Sequence, residues 1–102
     1  MKKQKFWFFC SGFIGIDEDA VSPITKYHIY KKINQKLSKA FNIKSIDLDL
    51  KSPDRVIISI EGHALSSSIL PDVPDEIKQK IVSRLTPMIC QFSLKINSIM
   101  RV

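Results

Sequence analysis

The chain has 102 residues, of which 44% are hydrophobic, so it can form one domain with its own core but has little room for a separate large substrate cleft. Its 16 basic and 10 acidic residues give a net charge of +6 at pH 7, which predicts an acidic partner. Only three of the basic residues are arginine. Because arginine is the side chain that contacts bases and phosphates with two hydrogen bonds, its scarcity counts against nucleic acid as that partner.

Residues 5–16 predict a strand that is apolar on both faces. Aromatic side chains are enriched in this short segment, which favours a strand over a helix, and two apolar faces are typical of a central strand. The segment imitates a signal peptide, but three acidic residues follow it and no small-residue cleavage site is present. One face contains Phe6, Phe8 and Cys10, and the other contains Trp7 and Phe9.

The excess positive charge lies in a predicted helix. Six lysines and no acidic residue occur between Ala20 and Ile46, so the helix should attract an acidic surface. Ser22 and Pro23 predict its N-cap and first helical position, and the helix should run to about Phe41. Its apolar arc is predicted to contain Ile29, Tyr30, Ile33, Leu37, Ala40 and Phe41. Its opposite arc, the lysine face, contains His28, Lys31, Lys32, Gln35, Lys36 and Lys39.

The remaining elements alternate between strands and a second helix. A hairpin is predicted from residues 43–51 and 55–61, with Ser52-Pro53-Asp54 as its turn. Residues 62–74 predict a loop, after which Pro74 begins a helix that ends near Thr86-Pro87. Residues 92–101 predict the last strand. The predicted inward side chains are Ile46, Leu48, Leu50, Val56, Ile58, Ile60, Ile77, Ile81, Leu85, Met88, Phe92, Leu94, Ile96 and Met100.

The order strand, helix, strand, strand, helix, strand predicts an α+β fold in a single domain over residues 1–102. We expect a four-stranded antiparallel sheet of the ferredoxin-like, or split βαβ, type with both helices on one face. The first and third strands should lie in the centre. The other face, here called the open sheet face, should carry Asp47 and Asp49 together with Trp7 and Phe9 or, if the first strand has the opposite orientation, with Phe6 and Phe8.

The chemistry-bearing residues form no catalytic or metal-binding signature. Cys10 and Cys90 are predicted to be buried free thiols, because they are eighty positions apart and form no C-x-x-C pair. Asp47 and Asp49 are interpreted as a solvated strand face. If the chain were an enzyme, its site would lie near Glu61 and His63, where the predicted strand ends and a loop that contains Ser66, Ser67 and Ser68 begins. No metal or cofactor is predicted.

These features favour a non-catalytic module that binds a partner protein, such as a small inhibitor, an immunity protein or an accessory subunit. The contacts would come from the lysine face, the open sheet face, or both. A homodimer through the open sheet face is included in this hypothesis. The alternative is a nucleic-acid-binding domain that uses the same lysines, and a small enzyme ranks below both. We expect a cytoplasmic location and no membrane partner.

Overall fold

The structure, a computed structural model, describes residues 2–102. Four strands and two α-helices form an α+β fold, as the sequence predicts. None of the helices in the described part of the chain is long and apolar enough to cross a membrane. In chain order the elements are β1 (Gln4–Ile16), α1 (Lys26–Leu37), β2 (Asn42–Ser52), β3 (Arg55–Ser66), a short 3-10 turn (Leu70–Asp72), α2 (Val73–Leu85) and β4 (Ile89–Arg101).

The strands form a single antiparallel sheet in the order β2-β3-β1-β4. β1 and β3 therefore occupy the centre, as predicted from the two apolar faces of β1. The molecule measures 42 × 21 × 20 Å. Its long dimension follows from the strands, because thirteen residues rising about 3.3 Å each span roughly 43 Å.

One cluster of buried side chains contains residues from all four strands and both helices. The predicted inward residues of the hairpin and of α2 belong to it, although Leu50 is only half-buried. α1 contacts both β2 and α2, and α2 contacts β4. The apolar spacing of three and four residues in the helices and of two in the strands therefore identifies most of the core.

The predicted ends of α1 are wrong at both sides. Thr25 is the N-cap, because its hydroxyl oxygen accepts a hydrogen bond from the His28 amide at 3.2 Å. Ser22 and Pro23, joined by a cis peptide bond, precede the helix. The helix ends at Leu37, whose carbonyl accepts from the amides of Ala40 and Phe41. Lys39 therefore lies in a turn rather than on the helix.

The predicted loop after residue 61 is also wrong at its beginning. β3 continues to Ser66, because residues 62–66 pair with the first residues of β1. The backbones are close at Gly62, where an added Cβ would lie 2.7 Å from the Asn42 carbonyl oxygen. Glu61 and His63 are consequently strand residues with fixed directions.

A bulge in β4 reverses the prediction for Met100. Phe9 pairs with Ser98 and Cys10 pairs with Ile96, so Asn97 is an extra residue between them. Since an extra residue shifts the alternation by one position, the residues after it change faces. Ile99 is half-buried, whereas Met100 is 60% exposed. Phe92, also predicted inward, is 45% exposed on this edge strand.

Candidate functional site

The open sheet face is the side of the sheet whose residues alternate with the buried ones. Along β1 the buried residues are Phe6, Phe8 and Cys10, which leaves Trp7, Phe9 and Phe13 half-buried on the opposite side. The cross-strand register pairs Trp7 with Met100 and Phe13 with Ile57, and Leu65 pairs with Lys5, two residues before Trp7. We call this set the apolar strip; its members are Trp7, Phe9, Phe13, Ile57, Leu65 and Met100.

Trp7 is held in a defined orientation within the apolar strip. Its indole Nε1–H donates to Oε2 of Glu61 at 2.8 Å, and the same oxygen lies 3.5 Å from Nζ of Lys44. The hydrogen bond from Trp7 is the main cause that lowers the pKa of Glu61 below its ordinary value of 4.5, and the nearby positive charge of Lys44 acts in the same direction. The carboxylate therefore stays ionised and keeps the indole fixed near neutral pH.

Other polar contacts surround the apolar strip. The guanidinium carbon of Arg55 lies 4.7 Å from the centre of the Phe13 ring, in a cation–π contact. Ser11 donates a hydrogen bond to Asn97 at 2.6 Å. Asp47 and Asp49 lie exposed on the edge strand β2, where Nζ of Lys51 is 3.0 Å from Asp49. Polar side chains therefore also lie between members of the apolar strip, since Ser11 separates Phe9 from Phe13 and pairs with Ser59 of the other central strand.

The structure separates the members of the lysine face. Lys31 and Lys32 are exposed on α1 and Lys36 is half-buried, whereas Lys39 lies beyond the end of the helix. Nζ of Lys31 is 5.3 Å from the centre of the Tyr27 ring. His28 contacts the capping hydroxyl of Thr25 through Nδ1 at 2.8 Å. Among residues 2–102, the ion pairs are Lys44–Glu61 and Lys51–Asp49, so none involves the lysine face.

Two of the residues considered for catalysis, Glu61 and Ser66, contact other side chains of the chain. Glu61 and His63 lie on the same side of β3, but Trp7 and Lys44 already contact the Glu61 carboxylate. Ser66 lies in β3 rather than in the loop, and its buried hydroxyl donates a hydrogen bond to Glu76. The Glu61 carboxylate and the Ser66 hydroxyl therefore each have a structural partner.

The two cysteines are free, as predicted, but only one of them is buried. Cys10 lies in the core, where burial raises the pKa of its thiol to about 11. A thiol with this pKa is protonated and unreactive at neutral pH. Cys90 is exposed, which corrects the prediction that both thiols are buried. It occupies an extra position in the pairing of β4 with β1, because Gly15 pairs with Gln91 and Ile16 with Ile89.

Sequence reasoning found Trp7 and Phe9 but missed other members of the apolar strip. Leu65 falls in the predicted loop, although the alternation of Ile58, Ile60, Ala64 and Ser66 continues the strand to that point. Met100 falls in the predicted core, because an alternating sequence does not show where a bulge occurs.

In residues 2–102, no three histidine, cysteine or acidic side chains come together in a way that could hold a metal ion. No family model matches this chain, and no curated protein matches it either.

Proposed function

We propose that this chain is a non-catalytic module that binds a partner protein through the open sheet face. The observation that carries the proposal is the apolar strip, in which three aromatic side chains of β1 lie on one face of the sheet without being fully buried. Aromatic residues and methionine are enriched at protein interfaces, and contiguous exposed apolar surface is typical of interaction sites. Burying a large apolar side chain contributes about 1.5–3 kcal/mol, so a few such residues could supply most of a binding free energy.

Two features support the non-catalytic part of the proposal. The Glu61 carboxylate already has two partners, and the Cys10 thiol is protonated at neutral pH. A catalytic acid, base or nucleophile needs a free reactive atom within reach of a substrate. A catalytic site near Glu61 and His63 is the third hypothesis, and it would require the Trp7–Glu61 hydrogen bond to break during the reaction.

A photo-crosslinking experiment tests the proposal in cells of the native host. A photoreactive phenylalanine analogue at the Phe9 position should give a discrete crosslinked protein, identified by mass spectrometry. The same analogue at Gln79, which is exposed on α2, is the control and should not give that product. With the purified partner, Phe9→Ala should then weaken binding by about tenfold.

The products of that experiment distinguish the alternatives. A product that contains two copies of this chain would identify the partner as the homodimer. Nuclease-sensitive products, or identical products from Phe9 and Gln79, would contradict binding of a protein through the open sheet face.

The second candidate function is nucleic-acid binding through the lysine face. Lys31 and Lys32 favour it, because they are exposed and form no ion pair among residues 2–102. Lysine binds phosphate as a point charge and without base specificity. In the protein-binding proposal the same charges would increase the association rate with an acidic partner.

We also propose a finer description of the fold and a location. The sheet order and the contact between α1 and α2 support a ferredoxin-like, split βαβ arrangement with both helices on the face opposite the apolar strip. The free thiols of Cys10 and Cys90 support a reducing compartment such as the cytoplasm.

A further inference from the structure

Four lysines that are distant in the sequence line a single cleft at one end of the sheet. Lys3 and Lys5 come from the start of the chain, Lys39 from the turn after α1, and Lys80 from α2. The cleft has a volume of about 540 Å³, and no acidic residue lines it. We call it the lysine cleft.

The lysine cleft also contains further hydrogen-bonding groups and an apolar floor. Asn42 and His63 line it beside the lysines, while Phe41 and Leu65 contribute apolar surface. Nζ of Lys80 lies 5.9 Å from the centre of the Phe41 ring. The Phe41 ring in turn packs edge-on against Phe8, with 5.3 Å between the ring centres. The floor of the cleft is therefore anchored in the core.

The four positive charges have no partner in the described part of the chain. The ion pairs of residues 2–102 involve Lys44 and Lys51, which lie outside the cleft. The cleft also adjoins the C-terminal end of α1, which carries partial negative charge. Leu37, however, already receives two backbone hydrogen bonds at this end. Four like charges around one cavity repel each other, and an anion bound between them would remove that repulsion.

We propose that the lysine cleft binds a phosphate-bearing anion. A lysine ammonium group binds phosphate as a point charge, and a phosphate ester carries a charge of about −1.5 to −2 at pH 7, so one phosphate group can interact with several of these lysines at once. The amide of Asn42 can donate to further phosphate oxygens. The apolar floor would contact the uncharged part of a phosphate ester. This inference does not depend on the proposed partner protein, because the purified chain alone should bind the anion.

Calorimetric titration of the full chain with pyrophosphate tests the inference. We expect one saturable site per chain. Lys39→Gln with Lys80→Gln should raise the dissociation constant by about tenfold or more, because two of the four charges are lost. The control is Lys26→Gln with Lys32→Gln, which removes the same total charge from residues outside the cleft and should change the constant by less than about twofold. Circular dichroism and thermal unfolding verify that both variants remain folded.

A second measurement needs no variant. In NMR spectra of the wild-type chain, pyrophosphate should shift the amide signals of Asn42 and His63 more than those of Lys31 and Gln79. Absence of saturable binding, equal weakening in the two double variants, or tighter binding of citrate than of pyrophosphate would overturn the proposal.

Further probes distinguish the sources of the phosphate. Tighter binding of a nucleoside diphosphate than of pyrophosphate would support a soluble ester as the ligand. Pyrophosphate-sensitive binding to vesicles that contain phosphatidic acid would support a lipid headgroup. Either result would support the proposal, because both ligands present a phosphate group to the lysine cleft.

Discussion

At the scale of single residues, hydrogen bonds determine the orientation and charge of the groups on the open sheet face. Glu61 accepts from the only tryptophan in the chain and also attracts Lys44. The direction of the indole ring is therefore coupled to the ionisation of one carboxylate. An interface residue that is already oriented loses less conformational entropy when a partner binds.

This coupling predicts a pH-dependent signal from Trp7. The pKa of Glu61 is lowered from 4.5, so its ionised form is favoured in the folded state. The corresponding stabilisation is present above pH 4.5 and is lost as the pH falls through the lower folded value. Trp7 fluorescence should change with a midpoint below pH 4.5. In Glu61→Gln, which can still accept the indole hydrogen bond, this transition should be absent. A wild-type midpoint at or above pH 4.5 would contradict the assignment of the transition to the protonation of Glu61.

At the scale of the elements, the sheet depends on close approach between β1 and its neighbours. Gly12 has a φ of +150°, and an added Cβ would lie 2.0 Å from the carbonyl oxygen of Ser93 on β4. A side chain at this position would force the two strands apart. At Gly15 the nearest atom to an added Cβ belongs to the flexible side chain of Gln91, at 2.7 Å.

Replacing the two glycines with alanine should therefore lower the free energy of unfolding by different amounts. Gly12→Ala should lower the free energy of unfolding by about 2 kcal/mol or more, since it combines backbone strain with a clash against backbone atoms. Gly15→Ala should cost less, because Gln91 can move. Chemical denaturation of both variants measures the difference. Equal costs would show that β1 and β4 do not approach as closely at Gly12 as the structure indicates.

At the scale of the whole molecule, the positive charge is more widely distributed than the lysine face alone. Four lysines lie on α1 and four line the lysine cleft, and Lys39 belongs to the second group. A surface with several unpaired charges attracts anionic partners over about 8 Å at physiological salt. The lysine face and the lysine cleft can therefore be tested separately.

Replacing Lys31, Lys32 and Lys36 with Gln changes the net charge from +6 to +3 and should slow association with an acidic protein partner at low salt. The difference from wild type should disappear at high salt, because exposed charges are screened. The dissociation rate should change little. For a nucleic acid, affinity should fall on every sequence tested, with a shallower dependence on salt. Rate measurements over a salt series separate these outcomes, and unchanged binding at low salt would show that the lysine face is only solvated.

The sequence alone determined the order and type of the elements and most of the core. The alternation of Ile46, Leu48, Val56, Ile58 and Ile60 and the helical spacing of Ile77, Ile81 and Leu85 are local patterns. A period of two or 3.6 residues directly identifies which side of a strand or helix is buried. The central position of β1 also followed from its own residues, because both of its faces are apolar.

Only the tertiary structure decided the features that depend on a neighbouring segment. The length of β3 depends on its pairing with the start of β1. The exposure of Met100 depends on the extra residue Asn97 in the pairing of β4 with β1. The lysine cleft brings together Lys3, Lys39 and Lys80, which are separated by more than thirty residues from one to the next. Long-range pairing and bulges leave no periodic signal in the chain, so the sequence could not place these residues beside one another.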